Sequence, residues 1–163
     1  TILHEPKLLI FDEPFTGFDP INVQLLKEEM LRLKAQGSTL ILSTHNMESV
    51  EELCDHIALL DRSEKILDGP VFDIKQQYKN NQYSITVTQE SAKLSLLREH
   101  YNIIREKNIH GRLQLTIELK ADQKATEVLK NLLDQTEVFA FEEILPSMNE
   151  IFIKTISNRK NNE

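Results

Sequence analysis

The sequence predicts an α/β protein in two parts, a parallel β-sheet unit followed by a smaller α/β unit. Two apolar runs, Leu8–Phe11 and Thr39–Ser43, flank a helical pattern, which is the order of a parallel βαβ unit. After the polar stretch Lys79–Gln82 the rhythm changes, and apolar residues alternate with polar ones as in strands covered on one face. A chain of 163 residues is long enough for a partial domain with a small companion.

The first predicted strand, Leu8–Phe11, is apolar throughout and follows Pro6. Such a run is typical of a strand buried on both faces of a parallel sheet. A helix is predicted next, because Asp19 is a favoured N-cap residue and Pro20 fits a first helical turn. Gly37 is expected to end this helix. The apolar residues that recur with helical spacing are Val23, Leu26, Met30 and Leu33.

The rest of the first part is predicted to contain a helix, a hairpin and a second short helix. The first helix covers Met47–Cys54, with Glu48 near its positive N-terminal end. Strands at Ile57–Leu60 and Lys65–Leu67 are joined by a tight polar turn. After the break at Gly69 and Pro70, the short helix has Val71, Ile74 and Tyr78 on one side.

The second part is predicted to be a small α/β sandwich. Its order of strand, helix, strand, strand, helix and strand, closed by a last helix, is typical of a ferredoxin-like arrangement. Ser147 and Glu150 have the spacing of a capping box at the start of that last helix. We place the first domain at residues 1–79, the second at residues 83–157, and a polar, frayed tail at residues 158–163. The supporting residues are Tyr83, Ile85 and Val87 (strand), Leu94, Leu97 and Tyr101 (helix), Ile103 (strand), His110 and Gly111 (turn), Leu113, Leu115 and Ile117 (strand), Ala125, Val128, Leu129 and Leu132 (helix), and Val138–Phe141 (strand).

The composition indicates a globular protein and argues against two classes of partner. Apolar residues make up 40% and charged residues 28%. A net charge of −7 without a basic cluster argues against nucleic acid or an anionic membrane surface as the main partner.

No apolar run approaches the ~20 residues that span a bilayer, and no signal peptide precedes the first strand. Since Cys54 is the single cysteine, no internal disulfide forms, and a cytoplasmic location is the default expectation. Because the sequence begins at Thr1 without a methionine, we expect it to be a piece of a longer protein.

Two carboxylates and a histidine are predicted to meet at one edge of the parallel sheet. Asp12 and Glu13 follow the first strand, and Thr44 and His45 follow the second. Parallel strands end at the same edge, where open α/β sheets bind ligands. One carboxylate can hold Mg²⁺, usually through water, and another can deprotonate an attacking water. An imidazole N–H can stabilise charge on phosphoryl oxygens. Taken alone, the acidic pair is better interpreted as a solvated turn, and His45 as a buried structural residue.

The sequence resembles ABC-type ATPases in successive segments. Lys7–Pro14 is similar to the Walker B segment of that family, Thr16–Asp19 to its D-loop, and Ile41–His45 to its switch-histidine loop. Residues 54–69 follow the closing strands, so order and spacing agree over residues 1–70. The resemblance implies a partial P-loop NTPase (RecA-like) sheet that works with ATP and Mg²⁺.

The same resemblance assigns roles to individual residues. It implies that Asp12 holds Mg²⁺ through water, that Glu13 is the catalytic base, and that His45 contacts the γ-phosphate. It also implies that the D-loop lies at the interface with a second ATP-binding subunit. The D-loop residues are Thr16, Gly17, Phe18 and Asp19.

A second resemblance concerns the end of the chain. Leu145–Phe152 is similar to the ending of a C-terminal extension in ATPases of the ABC-2 exporter type. This implies an exporter subunit that drives transport through a membrane permease and lies at the inner face of the cell membrane. The transported substrate, and whether the two ATP-binding subunits are identical, stay open.

Two motifs of the family do not occur in the sequence. None of the glycines begins a G-x-x-x-x-G-K-[ST] loop, and no Leu-Ser-Gly-Gly signature is present. We therefore expect the chain alone neither to bind ATP tightly nor to hydrolyse it. Because an apolar strand without a neighbour recruits partners, we also expect self-association through the exposed sheet edge.

Two other functions remain open at this point. One is a non-catalytic module, in which residues 83–156 serve dimerisation or regulation and the acidic residues are idle. The other is a soluble ABC ATPase of translation or DNA repair. The acidic charge and the ending at Leu145–Phe152 argue against the latter.

Overall fold

The computed structural model describes residues 6–88, 97–98, 100–120 and 122–161, and these form two compact units. The first unit comprises the described residues up to Ile74 and those from Ser147 onward. The second unit comprises the described residues from Lys75 to Pro146. Parallel and antiparallel sheets occur together with helices, which confirms the predicted α/β class. None of the helices described here is long and apolar enough to cross a membrane.

The first unit contains two separate two-stranded sheets. The first sheet is parallel, with Leu8 opposite Thr39 at one end and Asp12 opposite Ser43 at the other. The second sheet is an antiparallel hairpin. The elements are β1 (Leu8–Asp12), α1 (Pro20–Ala35), β2 (Thr39–Ser43), α2 (Met47–Leu53), β3 (His56–Asp61), β4 (Glu64–Pro70) and α3 (Val71–Gln77).

Local sequence signals account for the start and end of α1. The Asp19 carboxylate accepts hydrogen bonds from the N–H groups of Ile21 and Asn22, at 2.9 and 3.1 Å, which satisfies two donors that the first helical turn leaves open. The helix gives way to a glycine, Gly37, whose φ of +95° favours this residue type. Both features confirm the predicted limits of the helix to within two residues.

One face of the parallel sheet is exposed, which corrects the prediction that β1 is buried on both faces. Leu8 is 52% exposed, Ile10 70% and Ile41, which lies opposite Ile10, 51%. Leu9 and Phe11 on the other face are half-buried. A continuous apolar run fits burial on two faces, but no described element covers the face that carries Ile10.

The second unit is one antiparallel sheet of four strands in the order β6-β7-β5-β8. Its core cluster includes Leu132, which is completely buried, and Leu97, which is 3% exposed and helical. Of the other two residues on which the helix in this region was predicted, Leu94 lies outside the described residues and Tyr101 lies at a bend rather than in a helix. The elements are β5 (Gln82–Thr88), β6 (Asn102–Ile109), β7 (Arg112–Glu118), α4 (Ala125–Gln135) and β8 (Val138–Ile144).

The last helix, α5 (Met148–Asn161), belongs to the first unit by its contacts. The predicted capping box is present, since the Glu150 carboxylate accepts from the Ser147 N–H at 2.8 Å and the Ser147 hydroxyl accepts from the Glu150 N–H at 3.2 Å. The Met148 N–H donates to Glu51 on α2 at 2.6 Å, and Ile151 is 1% exposed. The predicted grouping of this helix with residues 83–157 therefore differs from the observed one.

Residues 158–161, the described part of the predicted tail, also differ from their prediction, and residues 162–163 lie outside the described residues. Residues 158–161 are helical, although a frayed tail was expected from residue 158 onward. Arg159 explains the difference, because its guanidinium pairs with Glu64 and lies 3.8 Å from Asp61 in the β3–β4 hairpin. A polar sequence alone does not reveal such a distant partner.

Candidate functional site

The candidate site lies where β1 and β2 end. Because the strands are parallel and Asp12 lies opposite Ser43, both strands end at the same edge. The Ser43 hydroxyl donates to Asp12 Oδ1 at 2.6 Å, so the two strand ends are also joined through their side chains. The Asp12 carboxylate is thereby oriented while the residue stays exposed.

Glu13 occupies an unusual backbone conformation next to this edge. Its φ is +44°, a left-handed value that is uncommon for residues other than glycine, asparagine and aspartate. The Glu13 N–H donates to the Ser43 carbonyl at 2.9 Å, which ties this conformation to the end of β2. Strained backbone of this kind clusters at functional sites.

The structure brings the Glu13 carboxylate and His45 together across 32 positions of sequence. Glu13 Oε1 accepts from the His45 main-chain N–H at 3.0 Å and lies 2.7 Å from His45 Nδ1. Glu13 Oε2 accepts from the Thr44 hydroxyl at 3.3 Å. Thr44 is itself fixed, since its oxygen accepts from the Asn46 N–H at 3.1 Å. Both carboxylate oxygens of Glu13 are therefore engaged by the loop that follows β2.

These contacts favour the ionised form of the Glu13 carboxyl. The hydrogen bond from the His45 side chain is the largest cause of the lowered pKa of the Glu13 carboxyl; desolvation opposes it, and the hydrogen bond from the His45 main chain adds to the lowering. An ionised carboxylate 2.7 Å from Nδ1 calls for a proton on that nitrogen, so Nδ1–H is the donor. The His45 side chain is 86% exposed, and a ligand at the sheet edge can therefore reach the imidazole.

The predicted D-loop residues form the turn between β1 and α1. The Thr16 N–H donates to the Glu13 carbonyl at 3.2 Å, and Gly17 has a φ of +83°, where a side chain would be strained. Phe18 is 56% exposed. Asp19 is occupied by helix capping, and the Asn22 main-chain N–H is the main cause of its lowered pKa. The turn offers an exposed surface, and its contact with a second subunit stays a prediction.

The donor set at the sheet edge fits Mg²⁺ that is shared with a phosphate. Mg²⁺ is commonly held by one or two carboxylates together with water and substrate phosphates. Asp12 supplies one exposed carboxylate, which is oriented by the Ser43 hydroxyl. Over the described part of the chain no group of three or more His, Cys, Asp or Glu side chains is suited to hold a metal alone. Asp12 is therefore the residue at this edge that could hold such an ion, and its role stays a prediction.

Two hydroxyl residues take part in the site without having been assigned a role from sequence. Ser43 orients Asp12, and Thr44 supports Glu13. The register of the parallel strands is the signal that could have found Ser43, since it lies opposite Asp12. Thr44 depends on the path of the loop beyond the strand, which sequence periodicity does not specify.

Comparisons with known proteins identify the class of protein to which the chain belongs, the ATP-binding proteins of ABC transporters. Residues 69–156 match the family described as "ATP-binding protein DrrA1-3-like, C-terminal domain". The chain belongs to this family of ABC transporter ATP-binding proteins.

Individual relatives carry similar names. The chain is 34% identical, over 95% of its length and 50% of the relative, to the uncharacterized ABC transporter ATP-binding protein YhaQ of Bacillus subtilis. It is 41% identical, over 43% of its length and 24% of the relative, to a fluoroquinolones export ATP-binding protein of Mycobacterium tuberculosis. A solved structure of an ATP-binding subunit of an ABC transporter matches 47% of this chain and 32% of its own, with 39% identity and a TM-score of 0.44. The chain spans about half the length of the first relatives it matches.

Proposed function

We propose that this chain forms the part of an ABC transporter's ATP-binding subunit that carries the residues for ATP hydrolysis. The observation that supports this most directly is the Glu13 carboxylate, held by His45 beside Asp12 at the end of β1. The family membership and the names of the relatives point in the same direction.

In this proposal Glu13 is the general base that accepts a proton from the attacking water. Its carboxylate is ionised but is a weak base while His45 Nδ1–H and the His45 main chain both donate to it. When the imidazole turns towards a phosphate, Glu13 loses the partner that lowers its pKa most and becomes a stronger base. His45 then stabilises the charge on the γ-phosphoryl oxygens.

Asp12 is proposed to hold Mg²⁺ through water, with Ser43 keeping the carboxylate in place. When bound, this ion would neutralise charge on the phosphate oxygens of ATP. The exposed turn Thr16–Asp19 is proposed as the contact with a second ATP-binding subunit.

Export is the proposed direction of transport. The name of the Mycobacterium tuberculosis relative and the similarity of Leu145–Phe152 to the ABC-2 exporter ending both favour it. The further partner is then a membrane permease, through which the protein lies at the inner face of the cell membrane.

For the fold, we propose a RecA-like sheet for β1 and β2. We also propose a ferredoxin-like arrangement for the second unit, and the order of its strands supports this.

The isolated 163-residue chain is expected to bind Mg-ATP weakly, because its sequence has no phosphate-binding glycine loop. Calorimetric titration of the chain with Mg-ATP tests this expectation. Binding in the micromolar range would contradict it.

The catalytic assignment is tested by ATP hydrolysis in the full polypeptide that carries these residues. Glu13→Gln keeps an acceptor for the His45 N–H but removes the base, so turnover is expected to fall by about 10²–10⁴-fold. Glu48→Gln is the matched control, since Glu48 is exposed in the first turn of α2 and has no part in the site. Turnover of E13Q within about threefold of the control would refute the assignment.

A further inference from the structure

The turn that carries Glu13 is supported from two sides. On one side, the Glu13 N–H donates to the Ser43 carbonyl at 2.9 Å. On the other side, the half-buried Phe15 of the same turn faces Lys27 on α1, with Lys27 Nζ 5.8 Å from the centre of the ring. A cation within about 6 Å of an aromatic face is attracted to it. Because a left-handed backbone such as that of Glu13 persists only where its surroundings hold it, the second support matters to the site.

Lys27 also binds the helix that follows the His45 loop. Its ammonium lies 2.5 Å from the Glu52 carboxylate on α2. The side chain of Lys27 is 12% exposed, whereas that of Glu52 is 48% exposed. An ammonium this far removed from water requires a charged partner, so the pair with Glu52 determines where the lysine ends. The Lys27 ammonium therefore contacts α2 and the turn at the same time.

A series of hydrogen bonds connects α2 to Glu13. Asn46 caps α2, since its side chain accepts from the Ser49 N–H at 3.0 Å. The Asn46 N–H donates to the Thr44 hydroxyl oxygen at 3.1 Å, and the Thr44 hydroxyl donates to Glu13 Oε2 at 3.3 Å. The position of α2 is therefore transmitted to the loop whose donors hold the Glu13 carboxylate.

We propose that Lys27 is a positioning residue for ATP hydrolysis, which keeps the turn that carries Glu13 aligned with the loop that carries His45. Lys27 acts through these two residues rather than on the nucleotide. The inference rests on the proposed function, in which Glu13 is the general base. Its effect on the rate follows from geometry, because a displacement of about 1 Å at a reacting group can cost on the order of 10²-fold.

Lys34 provides a matched control on the same helix. It lies about two turns further along α1 and meets the opposite end of α2. There its ammonium donates to the Leu53 carbonyl at 3.2 Å and lies 2.7 Å from the Asp55 carboxylate. Both lysines attach α1 to α2, but Lys34 does so at the end away from the His45 loop. Loss of Lys34 therefore tests the attachment of the helices alone.

The test uses the full polypeptide and two measurements. ATP turnover gives kcat and KM, and amide hydrogen exchange reports on the His45 N–H, which donates to Glu13 Oε1 at 3.0 Å. In Lys27→Met, kcat is expected to fall by about tenfold or more while KM stays within about twofold. Exchange of the His45 N–H is expected to become faster by roughly threefold or more.

Three further variants separate the contacts of Lys27. Phe15→Leu removes the aromatic face and should change kcat and the His45 exchange in the same direction as K27M. Lys27→Arg keeps both the ion pair and the contact with the ring, so it should stay within about twofold of wild type in both measurements. Lys34→Met should also stay within about twofold of wild type, because the Phe15 contact is intact.

Other outcomes overturn the proposal. Equally faster exchange of all amides in the first unit of K27M means that the lysine only stabilises the fold. The same losses in K34M mean that attachment of α2 is sufficient, and unchanged kcat and His45 exchange in K27M mean that Lys27 has no role at the site. Failure of the proposed function is a separate result, since E13Q would then keep the turnover of its control. Exchange of the His45 N–H in K27M would still decide whether Lys27 positions the turn.

Discussion

Replacing Ile151 with alanine is expected to destabilise the first unit rather than the second. The Ile151 side chain is 1% exposed on α5, which packs in the first unit. Alanine removes three carbon atoms, each worth about 0.8 kcal/mol of burial, or roughly 2.4 kcal/mol together. The cavity left behind adds to this, so a loss of about 2–5 kcal/mol in the free energy of unfolding is expected.

The assay is urea denaturation combined with amide hydrogen exchange, which reports on each unit separately. Ile153→Ala is the matched control, because Ile153 lies on the same helix but is 55% exposed, and its loss should stay below about 0.5 kcal/mol. Exchange should become faster in β1–β4 in I151A. Equal losses in both variants, or faster exchange confined to β5–β8, would refute the placement of α5 in the first unit.

Three further predictions concern the site, the second core and the cysteine. Replacing His45 with alanine should raise the pKa of the Glu13 carboxyl, which NMR titration measures, and an unchanged pKa would contradict the role of the imidazole. The pKa of the Glu13 carboxyl is lower in the folded protein than in the unfolded chain. The stability that this difference provides is therefore present above the unfolded-state pKa and is lost as the pH falls through the folded-state pKa. Wild type and H45A should accordingly converge in their free energies of unfolding in acid. In the second unit, Leu132→Ala should lower the free energy of unfolding by about 2–5 kcal/mol, measured by chemical denaturation. The neighbouring Leu133 is 58% exposed, so Leu133→Ala should lower it by less than about 0.5 kcal/mol. Equal losses in the two variants would count against the described core. Burial raises the pKa of the Cys54 thiol, so alkylation at pH 8 should be slower than for an unstructured cysteine peptide and should match it only in urea.

Elements with strong local signals could be predicted from sequence. Asp19 and Pro20 mark the start of α1, and the spacing of Ser147 and Glu150 marks the start of α5. These signals act within one helical turn, so no distant residue has to be known. The meeting of Glu13 and His45 could also be predicted, because parallel strands end at one edge whatever surrounds the sheet.

Features that depend on distant contacts could not be predicted. The apolar run containing Ile10 does not reveal whether a second layer covers it, and in this structure one face is open. The helix at Ile151 has an apolar side, but periodicity does not say which unit receives it. The role of Thr44 depends on how the loop after β2 folds back on Glu13.

The return of the chain to the first unit makes the second unit an insertion with two tethers, at Ile74–Lys75 and Pro146–Ser147. If the second unit unfolds while α5 stays in place, roughly 70 residues become a flexible loop closed by the first unit. Closing such a loop costs about 4 kcal/mol in chain entropy, apart from a length-independent constant. A folded insertion avoids most of this entropy cost, so its folding favours the state in which α5 stays packed in the first unit. Loss of structure in the insertion should therefore loosen the terminal helix even where no contact between them is broken.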